Sequence, residues 1–83
     1  MKIYKYKLRK DISEQKIEMP HNAQILKVDY QNGELKLWAL VDTTTPTRTY
    51  FVSIFGTGWD IKTTGDYVDT VFDNEFVWHI FIN

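Results

Sequence analysis

An Asn-Gly pair between two runs of alternating apolar and polar residues constrains this chain more than any other feature. Asn32-Gly33 separates two predicted strands, residues 23–31 and 34–42. This dipeptide is the strongest short-range signal for a β-hairpin, because a type I′ turn needs a positive φ at both central positions. A two-residue turn also fixes the strand register, so the sequence predicts which side chains share a face.

The predicted register sorts the hairpin side chains onto two faces. It pairs Gln31 with Glu34 and continues outward one residue at a time. One face belongs to the core and carries the cross-strand pairs Tyr30 with Leu35, Val28 with Leu37, Leu26 with Ala39, and Gln24 with Val41. The other face carries Asp29 with Lys36, Lys27 with Trp38, and Ile25 with Leu40. We expect an exposed ion pair at Asp29 and Lys36, and a cation–π contact of Lys27 over Trp38.

Trp38 stands on the face that begins with charged residues, where it joins Ile25 and Leu40 in an apolar patch. Such a patch needs a cover, so we interpret it first as a second core or a seam between copies, and second as a binding surface. The strand at 75–82 poses the same question because it is apolar on both faces. A chain of 83 residues has little surface with which to cover both faces of a sheet. The sequence therefore predicts a homo-oligomer.

The rest of the chain is predicted to form further strands and no helix. Strands are predicted at residues 2–8, 48–56, 66–72 and 75–82, with a short one at 15–18 and a second hairpin turn at Asp73-Asn74. No window repeats apolar residues at the i, i+3, i+4, i+7 spacing of a helix. We therefore predict one all-β domain over residues 1–83, a small antiparallel sandwich or barrel of about six strands built from hairpins.

Composition narrows the functional classes. The chain has no cysteine, so it has neither a disulfide framework nor a zinc-thiolate site, which favours a reducing compartment. Its formal net charge of −1 gives no general affinity for polyanions. No apolar run approaches the roughly 18 residues of a membrane-spanning helix, and no signal peptide is recognisable. We expect a soluble protein that stays inside the cell, with no membrane partner.

The glycine-rich segment at residues 57–65 is the first candidate binding site. Gly56-Thr57-Gly58 follows a strand, but no Gly-Lys-Ser/Thr sequence and no helix comes after it, so a glycine-assisted strand exit is favoured over a phosphate loop. Backbone N–H groups beside Trp59 and Lys62 could still cradle an anion and stack a base. The predicted binding residues are Thr57, Gly58, Trp59 and Lys62 in this loop, with Trp38 and Lys27 on the hairpin.

Catalysis is disfavoured by the placement of the few reactive side chains. His79 could form an acid–base dyad with Asp66 or Asp69, but a turn at Asp73-Asn74 would place it opposite Val68. A structural, hydrogen-bonded histidine is the favoured interpretation. There is no cysteine nucleophile and no cluster with metal-ligand spacing, so we expect no enzyme activity, no cofactor and no metal.

The N-terminal strand supports an alternative function. Lysines and tyrosines alternate at Tyr4, Lys5, Tyr6 and Lys7, and basic strands with aromatic residues are typical of single-strand-binding β-barrels. The tyrosines, however, fall on the opposite face from the two lysines. An edge strand guarded by lysines therefore explains the pattern better, and nucleic acid is not the expected partner.

Several segments together resemble an uncharacterised family of short bacteriophage and prophage proteins. They run in order along nearly the whole chain: "IYKY" at 3–6, "IEMPHNAQIL" at 17–26, "QNG" at 31–33, "LWALVD" at 37–42, "FGTG" at 55–58, Tyr67, Thr70-Val71, and "FVWHIF" at 76–81. The resemblance implies no known activity and no known site residues. It does imply a phage setting, in which small proteins of this kind are often accessory factors.

The function expected from this resemblance is stoichiometric binding without catalysis. Such a protein would inhibit or sequester a component of the host's antiviral defence, either a host protein or a small nucleotide-like signal, in the cytoplasm of the infected bacterium. This is an argument by analogy. The alternative is a single-stranded nucleic-acid-binding small β-barrel that uses Tyr4, Tyr6, Lys5 and Lys7.

Overall fold

The computed structural model describes residues 1–83 and contains seven strands and no helix. The strands are β1 (Lys2–Lys7), β2 (Glu14–Pro20), β3 (Gln24–Gln31), β4 (Glu34–Val41), β5 (Thr47–Gly56), β6 (Asp66–Asp73) and β7 (Phe76–Ile82). They form a three-stranded sheet with the order β1-β4-β3 and a four-stranded sheet with the order β2-β5-β7-β6. All neighbouring strands are antiparallel.

The two sheets pack face to face, so the predicted all-β antiparallel sandwich is confirmed. Seven strands form rather than about six, because the short strand predicted at 15–18 is a full strand that pairs with β5 from Glu14 to Pro20. Twelve buried apolar side chains form the core between the sheets: Leu8, Met19, Val28, Leu35, Leu37, Ala39, Val41, Tyr50, Val52, Ile54, Val71 and Ile80. Every second residue of β4 belongs to this set, as the alternation of a strand requires.

The first hairpin turns where the sequence predicts. Asn32 has a φ of 52° and Gly33 a φ of 77°, so both central residues are left-handed, as a type I′ turn demands. The predicted register holds from Gln31 opposite Glu34 as far as Lys27 opposite Trp38. Near the turn, local backbone chemistry therefore decides the pairing.

Further from the turn the predicted register is wrong, because a β-bulge lies between Ile25 and Lys27. Leu26 is the extra residue of the bulge, and it is 45% exposed instead of buried in the core. Ile25 now pairs with Ala39 and packs against the core. Gln24 pairs with Leu40, so the predicted pairs beyond Lys27 do not form. The patch expected from Trp38, Ile25 and Leu40 consequently loses Ile25.

Two side-chain contacts predicted on this face are also wrong. The Nζ atom of Lys27 lies 3.7 Å from Oδ2 of Asp29 instead of over the ring of Trp38, and the cation–π contacts of the structure involve other residues. Lys36 does not pair with Asp29, because its Nζ atom lies 3.3 Å from Oε1 of Glu34. Lys7 also contacts Glu34, at 2.7 Å, since β1 lies beside β4. The strand β1 is distant from this hairpin in sequence, so the hairpin pattern does not predict the contact.

The strand β1 is an edge strand, as its lysines indicate. It pairs only with β4, and Lys5 and Lys7 face away from the core while Tyr6 packs against it. The other edge of this sheet, β3, is covered by β6. Its backbone N–H at Val28 donates to Oδ2 of Asp69 at 2.9 Å, so a side chain replaces the missing strand partner.

The second hairpin turns one residue later than predicted. Asp73 pairs with Phe76, so the central residues are Asn74, with a φ of 54°, and Glu75. Moving a turn by one residue moves the pairing by two, so His79 lies opposite Thr70 and not opposite Val68.

Candidate functional site

The segment after β5 begins with a tight turn that sends the chain back over its own strand. The N–H of Trp59 donates to the carbonyl oxygen of Gly56 at 3.1 Å, which closes a four-residue turn. Gly58 has a φ of 88° at the third position, as a type II turn requires. The structure therefore shows the predicted glycine-assisted strand exit, in which Gly58 supplies the positive φ of the turn.

Gly56 is a glycine for a different reason. A Cβ atom at this position would lie 2.8 Å from Cε2 of Trp59, closer than carbon atoms approach without displacement. The indole ring of Trp59 occupies the space that a side chain at Gly56 would need. The two residues together place a tryptophan flat against the end of the four-stranded sheet.

Three aromatic rings lie side by side at this end of the sheet. The ring centroids of Trp59 and Trp78 are 5.9 Å apart with the planes at 75°. Phe76 and Trp78 are stacked, with centroids 5.6 Å apart and planes within 10° of parallel. Trp59 is 55% exposed and Phe76 is 59% exposed, while Trp78 between them is half-buried. Two exposed rings therefore border a third that is anchored in the protein.

The three rings enclose an open cleft of about 490 Å³, which we call the aromatic cleft. It is lined by Gly56, Thr57, Trp59, Glu75, Phe76, Val77 and Trp78. Glu75 is the one charged residue among them, and no lysine or arginine lines the cleft. The cleft is thus apolar and aromatic with a single carboxylate.

A hydrogen-bonded chain of side chains fixes one wall of the aromatic cleft to the outer face of the four-stranded sheet. Oγ1 of Thr57 lies 2.8 Å from Nε2 of His79, and Nδ1 of His79 lies 3.1 Å from Oγ1 of Thr70. Tyr67 extends the chain, with its hydroxyl 2.7 Å from the same Thr70 oxygen. Both ring nitrogens of His79 therefore have hydroxyl partners, as a structural histidine requires. Asp69 points elsewhere, toward the backbone of Val28.

Behind the cleft, Asp73 holds Trp78 in place. The Nε1–H of Trp78 donates to Oδ2 of Asp73 at 3.3 Å, and the Tyr30 hydroxyl donates to the same oxygen at 2.9 Å. Nζ of Lys10 also lies 3.3 Å from it. The bond from Tyr30 and then that from Trp78 lower the pKa of Asp73 below its usual value, so the carboxylate stays charged. Burial, followed by the bond to Asp73, raises the pKa of Tyr30 to about 12.

The predicted binding residues fall in three separate places. Thr57 and Trp59 line the aromatic cleft, and Gly58 lies between them in the turn. Lys62 lines another cavity, of about 460 Å³, beside Phe51 and Glu14 on the outer face of the four-stranded sheet. The anion cradle that would need both Trp59 and Lys62 is therefore not assembled.

Trp38 and Lys27 lie on the outer face of the other sheet. They border a shallow cavity of about 390 Å³ together with Ile3, Leu26, Asp29, Tyr30 and Gln31. Trp38 is half-buried, whereas Ile3 and Leu26 are exposed. The sandwich thus separates this Trp38 face from the aromatic cleft, and the two do not form one site.

The sequence-based prediction missed Glu75, Phe76 and Trp78 as cleft residues. Alternation along β7 places Phe76 and Trp78 on one face, but nothing local indicates that Trp59 packs on the same row. The contact depends on β5 and β7 being neighbours, which is a non-local pairing. The turn predicted at Asp73-Asn74 puts Glu75 in the following strand, whereas the structure puts it at the tip of the hairpin.

A second aromatic row was missed for the same reason. Phe81 of β7 lies between Phe55 of β5 and Tyr67 of β6, with both centroid distances 5.7 Å. We call these three residues the outer aromatic row. Each comes from a different strand, so the row exists only once the four-stranded sheet is assembled.

The arrangement can bind flat or cationic groups by ring contacts, and it holds no group of three His, Cys, Asp or Glu side chains that could ligate a metal ion. There is no helix that could cross a membrane. The fold and the aromatic cleft define a small β-sandwich with an aromatic surface site. The family model described as "Domain of unknown function (DUF7352)" matches residues 1–83, so the chain belongs to that family. Neither the curated proteins nor the solved structures contain a match to this chain.

Proposed function

We propose that this protein is a non-enzymatic phage accessory protein that binds a host protein stoichiometrically and thereby blocks a component of antiviral defence. One observation carries the proposal: Trp59 and Phe76 are both more than half exposed at the rim of a cleft whose floor is the anchored Trp78. Large apolar rings in water are unfavourable unless a partner covers them.

Protein interfaces concentrate their binding energy in a few aromatic side chains at the centre of the contact. Tryptophan is the residue most enriched among such hot spots. In the aromatic cleft, the type II turn and the Thr57–His79 hydrogen bond hold the backbone that carries Trp59. A ring positioned before binding loses little conformational entropy on association, which favours affinity.

The phage setting rests on the sequence resemblance, from "IYKY" near the N terminus to "FVWHIF" near the C terminus. Under this proposal the protein acts in the cytoplasm of an infected bacterium. The absence of catalysis is supported by the surroundings of His79, whose two ring nitrogens face Thr57 and Thr70 and not a carboxylate.

The test compares capture from a bacterial lysate by three immobilised proteins: the wild type, Trp59→Ala and Trp38→Ala. We expect the wild type and Trp38→Ala to retain the same host protein, and Trp59→Ala to lose it. Mass spectrometry identifies the protein, and light scattering of the purified complex gives the stoichiometry. Capture that survives Trp59→Ala with a folded variant would overturn the assignment of the cleft.

The biological part of the proposal has its own experiment. Expression of the wild-type protein in a bacterium whose defence restricts a phage should restore plaque formation. Trp59→Ala should fail to do so at equal protein abundance. Equal restriction with and without the wild-type protein, across a panel of defence systems, would contradict the anti-defence role.

Single-stranded nucleic-acid binding is a second candidate, and the outer aromatic row favours it. Tyr67, Phe81 and Phe55 offer consecutive rings on one sheet face, and Lys16 adds a positive charge 5.9 Å from the ring centroid of Phe51. Bases stack on such platforms. Titration of an oligothymidine at several salt concentrations distinguishes nucleic-acid binding from protein binding. The logarithm of the affinity for nucleic acid falls linearly with the logarithm of the salt concentration. The tyrosines of β1 do not provide this platform, because Tyr6 packs against the core.

A further inference from the structure

We infer that the aromatic cleft receives an arginine side chain of the partner protein. This inference rests on the proposed function, and it names the chemical group that the cleft recognises. Three features carry it: the angle between the rings, the sign of the charge at the rim, and the exposure of the rings that line the cleft.

The angle between the two indole rings lets one group contact both of them. Trp59 and Trp78 are packed edge-to-face, with their planes at 75°, so a group beside the ring that points edge-on lies against the faces of both. Phe76, nearly parallel to Trp78, adds a third aromatic surface at the rim. Ring faces attract cations, and tryptophan attracts them most strongly. Guanidinium is flat and weakly hydrated, so it stacks on such walls more readily than a lysine ammonium does.

The charge that lines the aromatic cleft favours a cation. Glu75 is the only charged lining residue, and its carboxylate can accept two parallel N–H bonds from a guanidinium group. Asp60 follows Trp59 directly and adds a second acidic group to the segment. Lys62 lines another cavity. Lys10 lines the cavity on the other side of Trp59 and Trp78, where its amine lies 3.3 Å from Oδ2 of Asp73. A phosphate in the aromatic cleft itself would therefore meet the carboxylate of Glu75 and no basic lining residue.

The exposure of the cleft's own rings indicates a protein as the source of the cation. Trp59 is 55% exposed and Phe76 is 59% exposed. A free small cation would leave these rings in water, whereas a protein surface around an anchoring arginine would cover them. Arginine is, like tryptophan, enriched at the centre of protein interfaces.

The experiment that tests the arginine assignment uses N-acetyl-arginine amide as the probe. N-acetyl-citrulline amide, which is neutral and has nearly the same shape, is the control. The indole N–H signals of the three tryptophans are followed in ¹H–¹⁵N spectra of the full-length protein. We expect the arginine probe to shift the signals of Trp59 and Trp78 in a saturable manner. Trp38, on the other sheet, should not move and serves as the internal reference.

Variants separate the role of charge from that of shape. Glu75→Gln should weaken arginine binding by about threefold to tenfold, because it removes one charged hydrogen-bond acceptor. Glu14→Gln, which changes a carboxylate in the Lys62 cavity, should leave the binding unchanged. Trp59→Ala should abolish the shift of Trp78.

The inference would be overturned by equal shifts with arginine and citrulline, by movement of Trp38 alone, or by tighter binding of adenosine monophosphate than of the arginine probe. These outcomes differ from a failure of the proposed function. If host-protein capture depends on Trp59 while the arginine probe does not bind, the proposed function stands and the arginine assignment falls. If the arginine probe binds but capture of the host protein does not depend on Trp59, both the proposed function and the assignment of the partner group are wrong.

Discussion

The carboxylate of Asp73 accepts a hydrogen bond from the hydroxyl of Tyr30 at 2.9 Å, and this contact joins the end of β6 in one sheet to β3 in the other. The same oxygen accepts from Trp78 and lies beside the amine of Lys10. One side chain thus closes a corner of the sandwich and fixes the floor of the aromatic cleft. Its protonation therefore couples the stability of the fold to the geometry of the site.

The first prediction is a loss of stability in acid that depends on Asp73. Its pKa is lowered in the folded state, chiefly by the bond from Tyr30, so the group contributes stability above its ordinary value of 3.8. That contribution disappears as the pH falls through the lowered pKa. The melting temperatures of the wild type and of Asp73→Asn should differ at pH 7 and become equal in acid. A constant difference over the whole range would contradict the prediction.

Tyr30 gives the matching test in alkali. Its pKa is raised to about 12, so it contributes stability that is complete below pH 10 and lost as the pH rises through about 12. Tyr30→Phe cannot ionise and should lack this alkaline loss. At neutral pH it should cost about 1 kcal/mol, the net value of one intramolecular hydrogen bond.

The second prediction concerns the first hairpin. Gly33→Val places a β-branched residue at a φ of 77°, where no neighbouring atom is close and only backbone strain opposes it. We expect a loss of roughly 1–3 kcal/mol, measured by denaturant unfolding. Gly33→Asn is the control, because asparagine tolerates left-handed backbone, and it should cost far less. An unchanged midpoint for the valine variant would show that the turn does not set the register.

The third prediction concerns the stability of Trp59→Ala. Complete burial of a tryptophan would make this truncation cost about 3–5 kcal/mol. Trp59 is 55% exposed and packs against Gly56 and Trp78 with part of its ring, so we expect about 1–2 kcal/mol. The variant should therefore fold, and its melting temperature should fall by several degrees. A loss of about 4 kcal/mol or more would mean that the ring is structural and not a binding element.

The fourth prediction sets two glycine-to-alanine changes against each other. At Gly56 the new Cβ would meet the ring of Trp59 at 2.8 Å, and that ring can swing away. At Gly65 it would meet the backbone carbonyl oxygen of Ile82, also at 2.8 Å, which cannot move without disturbing β7. Gly56→Ala should therefore weaken partner binding with little change in melting temperature. Gly65→Ala should lower stability by about 1–3 kcal/mol and spare the cleft. The opposite pattern would refute both assignments.

The fifth prediction is self-association through the Trp38 face. Ile3 and Leu26 are exposed there beside Trp38, and Lys27 and Asp29 carry opposite charges, which can pair across a self-complementary two-fold interface. Sedimentation at micromolar concentration should show a homo-oligomer, and Leu26→Glu should yield a folded monomer. A monomeric wild type under these conditions would be incompatible with the prediction.

The sequence by itself determined the features that depend on neighbouring residues. Alternation along the strands predicted an all-β sandwich, because side chains of a strand point to opposite faces at every second residue. The backbone preferences of Asn32 and Gly33 set the first turn and the register as far as Lys27 opposite Trp38, since only a few residue types accept a positive φ.

The tertiary structure decided what depends on strands that are distant in the chain. A bulge places Leu26 on the surface, and local alternation does not report it. Lys7 met Glu34 only because β1 lies beside β4. The aromatic cleft likewise required β5 and β7 to pair, because Trp59 reaches Trp78 across that boundary. Local chemistry predicted the kind of fold and Trp59 as a binding residue, whereas long-range packing alone supplied the partners of Trp59 and the charge beside it.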